Sequence, residues 1–189
     1  MSATPQEISL EPFLALPDDG VYREVHRGRL REFHERSVLH DKWHSKTEAR
    51  IAHLLLDWLH QHPQKTGEVH SGEVSFVIQH DPLTTVGIDV AYFDYDVAND
   101  DSSGLSLVNG PPILAVEILS LSDTVEGLSE KVEVYLALGF ALVWFVDPRS
   151  QTIEVFNSDV EPHHFNIHQT LIAEPFLPGF TILVRNIFE

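Results

Sequence analysis

The chain has 189 residues, 43% of them hydrophobic and 22% charged, a composition that suits one globular domain with a real core. It contains no cysteine, which excludes disulfides, thiolate metal sites and cysteine nucleophiles and leaves carboxylates and histidines as the possible metal ligands. Twelve Lys and Arg against 29 Asp and Glu give a formal charge of −17, which works against unaided binding of nucleic acid.

Residues 1–20 read as an irregular lead-in broken by Pro12, Pro17 and Asp18-Asp19-Gly20, and residues 21–189 as a single domain. Tyr22 to Phe33 suits a short hairpin turning near Arg27-Gly28. A helix is expected next. Ser45-Lys46-Thr47-Glu48 fits a capping box, Glu48, Ile51, Ala52, Leu55 and Leu59 share one helical face, and His62-Pro63 ends the run. Three strands follow, over Glu68–Gln79, Val86–Tyr95 and Ile113–Leu119, with Asn99–Pro112 read as a loop. Ser122 to Leu138 is expected to be helical after its first turn, with Gly139 closing it in a left-handed conformation. Ala141–Val146 is a nearly continuous apolar strand suited to a central position covered on both faces. Asp147-Pro148-Arg149-Ser150 turns the chain into a strand over Thr152–Phe156, and a last strand is expected at Thr181–Val184. The order of helix, three strands, helix and strand predicts an α/β or α+β domain with a mixed sheet flanked by helices. No run approaches the ~20 apolar residues that cross a bilayer, and the first residues carry no basic region ahead of an apolar core, so no membrane span is expected and the cytoplasm is the expected location.

Two acids stand where apolar residues belong. Asp89 lies in Gly87-Ile88-Asp89-Val90-Ala91 and Glu117 in Ile113-Leu114-Ala115-Val116-Glu117-Ile118-Leu119. An ionised carboxylate in such a strand costs several kcal/mol, very roughly, unless it is paired or binds a metal. Either acid alone is explained by a place at a strand end or by a buried ion pair. Together, on strands expected to be neighbours, they are better explained by a shared cation. Carboxylates in a chain without Cys suit a hard, oxygen-seeking ion, Mg²⁺ with Mn²⁺ as substitute, which leaves coordination positions for water and substrate phosphate. Lys131, on the helix after the Glu117 strand, is either a solvent-exposed helix lysine or a point cation able to orient water and balance charge. Glu48 is either a capping glutamate or an auxiliary ligand facing the sheet.

Other signals compete. Of the 12 histidines, His40, His44, His53, His60 and His62 crowd one region, and most read as surface or pairing residues. Ser120 and Ser122 lack the setting of a nucleophile elbow, and no Gly-rich phosphate loop is present. Arg23, Arg27, Arg29, Arg31, Arg36, Lys42, Lys46 and Arg50, eight of the twelve cations, fall in one stretch that is either a solvated polar segment or a patch facing nucleic acid.

The run from Pro111-Pro112 through Glu117 to Ser120, then Ser122-Asp123-Thr124, Lys131, Tyr135, Gly139 and Trp144-Phe145-Val146-Asp147-Pro148, resembles the Uma-type putative restriction endonuclease family of the PD-(D/E)XK nuclease superfamily. The resemblance extends upstream through Gly87–Phe93 to the Ser45–Leu59 helix and downstream to Leu177-Pro178-Gly179-Phe180. It implies a restriction-endonuclease-like core in the order αβββαβ. It also implies Mg²⁺-dependent hydrolysis of DNA phosphodiester bonds. Asp89 would be the first metal-binding aspartate and Glu117 the acid of the E-x-K half-motif. Leu119 stands where the lysine is usual, and Lys131 on the next helix would supply it. Glu48 matches the helix position of an auxiliary metal-binding acid. Ile88 replaces the proline usual before the aspartate. A homodimer is expected, since two strands need two sites. The alternatives are a catalytically silent interaction module that retains the fold, favoured by the negative charge, and a metal-dependent hydrolase of a smaller phosphoester.

Overall fold

The computed structural model describes residues 7–33, 42–93, 107–120 and 123–189. In chain order these form a short helix α1 (Leu10–Leu14), the strands β1 (Tyr22–His26) and β2 (Arg29–Phe33), and the long helix α2 (Lys42–Gln61). The strands β3 (Glu68–His80), β4 (Leu83–Phe93), β5 (Val108–Asn109) and β6 (Leu114–Ile118) precede helix α3 (Val125–Ala137). After it come β7 (Leu142–Asp147), β8 (Thr152–Phe156), β9 (His163–Asn166), β10 (Thr170–Ile172), β11 (Thr181–Leu183) and helix α4 (Arg185–Phe188).

Seven strands form one mixed sheet in the order β5-β3-β4-β6-β7-β8-β9, while β1-β2 and β10-β11 make two small antiparallel ribbons. Strands β6 and β7 run parallel, so the chain must cross over between them, and α3 is that crossover. The other long pairings are antiparallel. Every residue of β6, and of β4 throughout its length, is buried, as continuous apolar runs in a doubly covered sheet require.

Each face of the sheet has its own core. On one face Ile51, Leu55 and Trp58 of α2 pack against Val90, Tyr92, Val116, Trp144 and Val146. The C-terminal segment completes this layer through Leu177, Phe180, Val184 and Ile187, and the Trp58 indole donates to Pro178 O at 3.1 Å. On the other face Tyr135 and Phe140 pack against Phe93, Ala115, Val143 and Phe145.

The expected order αβββαβ is present from α2 to β7, with the two-residue β5 added as an edge strand between β4 and β6 in the chain. The hairpin also turns where expected, with Arg27 and Gly28 at φ of +49° and +76° between two strands in register, as a two-residue type I′ turn demands. Gly139, at φ +87°, closes α3 with the two bonds of a Schellman motif, Gly139 N to Leu136 O at 3.2 Å and Phe140 N to Tyr135 O at 3.1 Å.

Four readings change. Helix α2 begins at Lys42, so Ser45-Lys46-Thr47-Glu48 lies inside the helix and is not its cap. The stretch read as an irregular lead-in contains α1, whose Leu10 and Phe13 pack with Ile8 against Val25, Val77 and Leu83. Of the expected loop, residues 99–106 lie outside the described residues, and Val108–Asn109 pairs with β3 as a sheet edge. The tail holds more structure than one strand, because β9, β10 and α4 are too short for a periodic signal.

Candidate active site

Strands β4 and β6 bring the two acids together. Their ladder pairs Ala91 with Ala115 and Val90 with Val116. Carried one step further, that register sets Asp89 opposite Glu117, where cross-strand Cβ atoms lie about 5 Å apart. The ladder stops there, and the Ile118 N–H is taken by Asp89 Oδ2 at 2.7 Å. Both acids are buried, 7% and 6% exposed.

Helix α3 supplies the partners of Glu117. Thr124 caps the helix, accepting from Gly127 N at 3.2 Å, and the turns that follow carry Lys131 and Tyr135 four residues apart on one face. Lys131 Nζ lies 2.5 Å from Glu117 Oε2, and the Tyr135 hydroxyl donates to Glu117 Oε1 at 2.6 Å. The Tyr135 ring stacks on Phe140 with centroids 4.3 Å apart, so the Schellman closure of α3 also fixes the tyrosine that holds Glu117. Leu119, where a lysine is usual, packs at the margin of the α3-side core, and the ammonium comes from the helix.

Helix α2 adds a histidine that the sequence reading left among the surface or pairing residues and did not place in the site. His44 is buried, its Nε2 3.4 Å from Asp89 Oδ2 and its Nδ1 3.9 Å from Glu48 Oε2. Glu48 is half-buried, one helical turn beyond His44, and reaches the acids through it. The missed signal was the spacing of His44 and Glu48, four apart on one face of a helix that starts earlier than its capping-box pattern suggested. Of the other crowded histidines, His40 lies outside the described residues, His53 and His60 lie outside the site, and His62 Nδ1 donates to Trp58 O at 2.8 Å.

The electrostatics of the two acids differ. Burial pushes the Glu117 carboxyl up to about 7, and Asp89 adds to the effect, while Lys131 and the Tyr135 hydroxyl pull the other way. Burial also opposes the charge on Asp89, but His44, the Ile118 N–H and Lys131 together outweigh it and hold this carboxyl below its ordinary range. Burial and the neighbouring Glu117 drive the Tyr135 phenol well above its ordinary value, so it stays a donor.

Among the described residues no three His, Asp or Glu side chains form a ready-made cage for an ion. The donor set nevertheless fits Mg²⁺, which takes one or two protein carboxylates and keeps waters on its other positions. Two buried carboxylates face one lysine, and burial holds the Glu117 carboxyl above its ordinary value despite that lysine. Two hollows of the described surface lie elsewhere, one beside Gln151 and Arg185 and the other beside Trp144, Phe165 and Phe176. No described helix is long and apolar enough to cross a membrane.

No curated protein matches the chain. Its fold is similar to the crystal structure of a putative nuclease belonging to DUF820 from Anabaena variabilis, with a TM-score of 0.75 over 96% of this chain and 97% of that one, at 17% sequence identity. The model of the Uma2 family, described as "Putative restriction endonuclease", matches residues 10–185, so the acids, the lysine and the histidine all fall within the match and the chain belongs to that family.

Proposed function

We propose that the protein is a Mg²⁺-dependent endonuclease that hydrolyses DNA phosphodiester bonds, with Mn²⁺ as a substitute ion. The observation that carries this reading is the pair Asp89 and Glu117 at facing positions of β4 and β6, with Lys131 on Glu117. Asp89 and Glu117 would hold the ion, with Glu48 as an auxiliary acid. When bound, such an ion polarises the phosphoryl oxygen and acidifies the attacking water. Lys131 steers that water and offsets negative charge as the phosphorus is attacked. The Tyr135 hydroxyl keeps Glu117 in place, and His44 with the Ile118 N–H keeps Asp89 ionised and oriented. A second strand needs a second site, so a homodimer belongs to this reading.

The net charge of −17 favours a second reading, in which the fold is an interaction module without catalysis. Purified protein is incubated with plasmid and Mg²⁺ or Mn²⁺, beside Asp89→Ala. Nicking by the wild type alone supports the endonuclease. Equal cutting by both refutes these residues as the catalysts, and failure of calorimetry to detect either ion at millimolar concentration supports the interaction module.

A further inference from the structure

The cation-rich stretch separates in the fold into groups with different work. Lys46 Nζ donates to Phe188 O at 3.0 Å and Arg50 Nε to Asn186 O at 2.8 Å, so these two hold the C-terminal helix against α2. Arg23 is neutralised by Asp19 at 2.8 Å and by Glu32 at 2.9 Å. Arg27, Arg29 and Arg31 are exposed, and Arg27 and Arg29 make no ion pair among the described residues.

The register of the hairpin decides which way the last two face. Cross-strand partners share a face, so Arg29 opposite His26 and Arg31 opposite Glu24 lie on the side of Tyr22, Glu24 and His26. That side packs on the part of β4 that leads to Asp89. Glu24 Oε1 accepts from Gly87 N at 3.1 Å and from the Tyr22 hydroxyl at 2.8 Å. Gly87 precedes Asp89 by two residues on β4, and a Cβ on Gly87 would overlap the Tyr22 hydroxyl. Glu24 and Tyr22 also act electrostatically on Tyr135, the partner of Glu117. Burial, with the charges of Arg31 and Arg27, holds the His26 imidazole below its ordinary pKa against the opposing pull of Glu24 and Glu130.

The hairpin is pinned rather than free. Gly28 N donates to Leu83 O at 2.7 Å, Ile8 N to Gly28 O at 2.8 Å and Val25 N to Thr85 Oγ1 at 2.8 Å. The arginines are therefore presented from a fixed ribbon beside the site. At physiological salt, charges beyond about 8 Å are largely screened, so local cations count for more at a phosphate than the distant acids behind the −17.

We propose that Arg29 and Arg31, with Arg27 at the turn, form a phosphate-binding rim that seats the backbone of double-stranded DNA beside Asp89 and Glu117. The proposal rests on the nuclease reading above and names how an acidic chain would hold its substrate. Fluorescence anisotropy of a labelled duplex across a salt series, with Ca²⁺ replacing Mg²⁺ to prevent cutting, tests it. The proteins compared are wild type, Arg29→Glu with Arg31→Glu, the milder Arg29→Gln with Arg31→Gln, and Lys65→Glu as a control. Lys65 precedes β3 at the end of the sheet where Glu68 pairs with Phe93. Loss of two phosphate contacts lowers the slope of log affinity against log salt by about 2 and weakens binding at low salt by about tenfold or more, while the control binds as wild type. Circular dichroism of the Gln pair confirms folding independently of charge reversal. Wild-type slope and affinity in both arginine pairs, with cleavage intact, overturn the rim alone. Preference for an RNA duplex overturns the assignment of DNA. A wild type that neither binds nor cuts the duplex overturns the nuclease reading and the rim with it.

Discussion

Glu117→Gln should stabilise the metal-free protein at alkaline pH and lose that advantage in acid. Glu117 is buried and its pKa rises from the ordinary 4.5 to about 7. A carboxyl whose folded pKa exceeds its unfolded value contributes stability that is fully present below the unfolded value and lost as pH rises through the folded one. Over that span, 4.5 to about 7, the shift corresponds to about 3 kcal/mol of destabilisation at high pH. Glutamine keeps an acceptor for the Tyr135 hydroxyl and removes the charge, but it also deprives Lys131 of its carboxylate, so 3 kcal/mol is a ceiling. For a chain of this size about 1 kcal/mol moves Tm by roughly 2–4 °C, so a gain of several degrees is expected near pH 8, shrinking towards zero only below pH 4.5. Thermal melts of both proteins in chelator across that range read it directly. Adding Mg²⁺ should then raise the melting temperature of the wild type more than that of the variant, because an ion bound only to the folded state stabilises it. Identical melting at every pH, or a variant less stable at pH 8, would refute the claim that Glu117 is a charge buried in wait of a cation.

Removing the His44 imidazole should loosen Asp89 without unfolding the chain, so His44→Ala weakens Mn²⁺ binding by about 10–100-fold in calorimetry, with His44→Gln recovering part of the loss. Gly87→Ala forces a methyl group against the Tyr22 hydroxyl and should cost about 1–3 kcal/mol in urea denaturation, a cost that Tyr22→Phe reduces. Leu55→Ala opens the α2-side core at a fully buried position and should cost about 2–5 kcal/mol in the same assay. A cost below about 1 kcal/mol there would mean that α2 packs less closely on the sheet than the structure shows.

The site joins elements that sequence separates widely, and the energetic logic differs across it. Asp89 is kept ionised by donors from two directions, whereas Glu117 pays for its burial and is only partly compensated. Such a difference between neighbouring acids is common where a site must receive a charged partner. The same division of labour runs through the cations, some of which tie down the C terminus while others remain exposed on β2.

Much of this molecule is written locally. Val86–Val90 and Ile113–Leu119 are so apolar that an acid within them is conspicuous, and that contrast alone singled out Asp89 and Glu117. Arg27-Gly28 specified a tight hairpin turn, and Gly139 the end of α3, because few residues accept a positive φ. The element order αβββαβ followed from periodicity and breakers in the same way. Tertiary structure decided the rest. The register of β4 on β6 sets the two acids face to face, and no local pattern encodes a register between strands that far apart in the chain. His44 became a neighbour of Asp89 only when α2 settled on the sheet, and Tyr135 a partner of Glu117 only through the right placement of the crossover helix. Lys46 and Arg50 left the basic cluster to bind carbonyls at the other end of the chain, 142 and 136 residues away. Residue type and spacing determine which groups can do chemistry. Which of them meet is settled by packing, since burial and long-range pairing choose the partners of a charge.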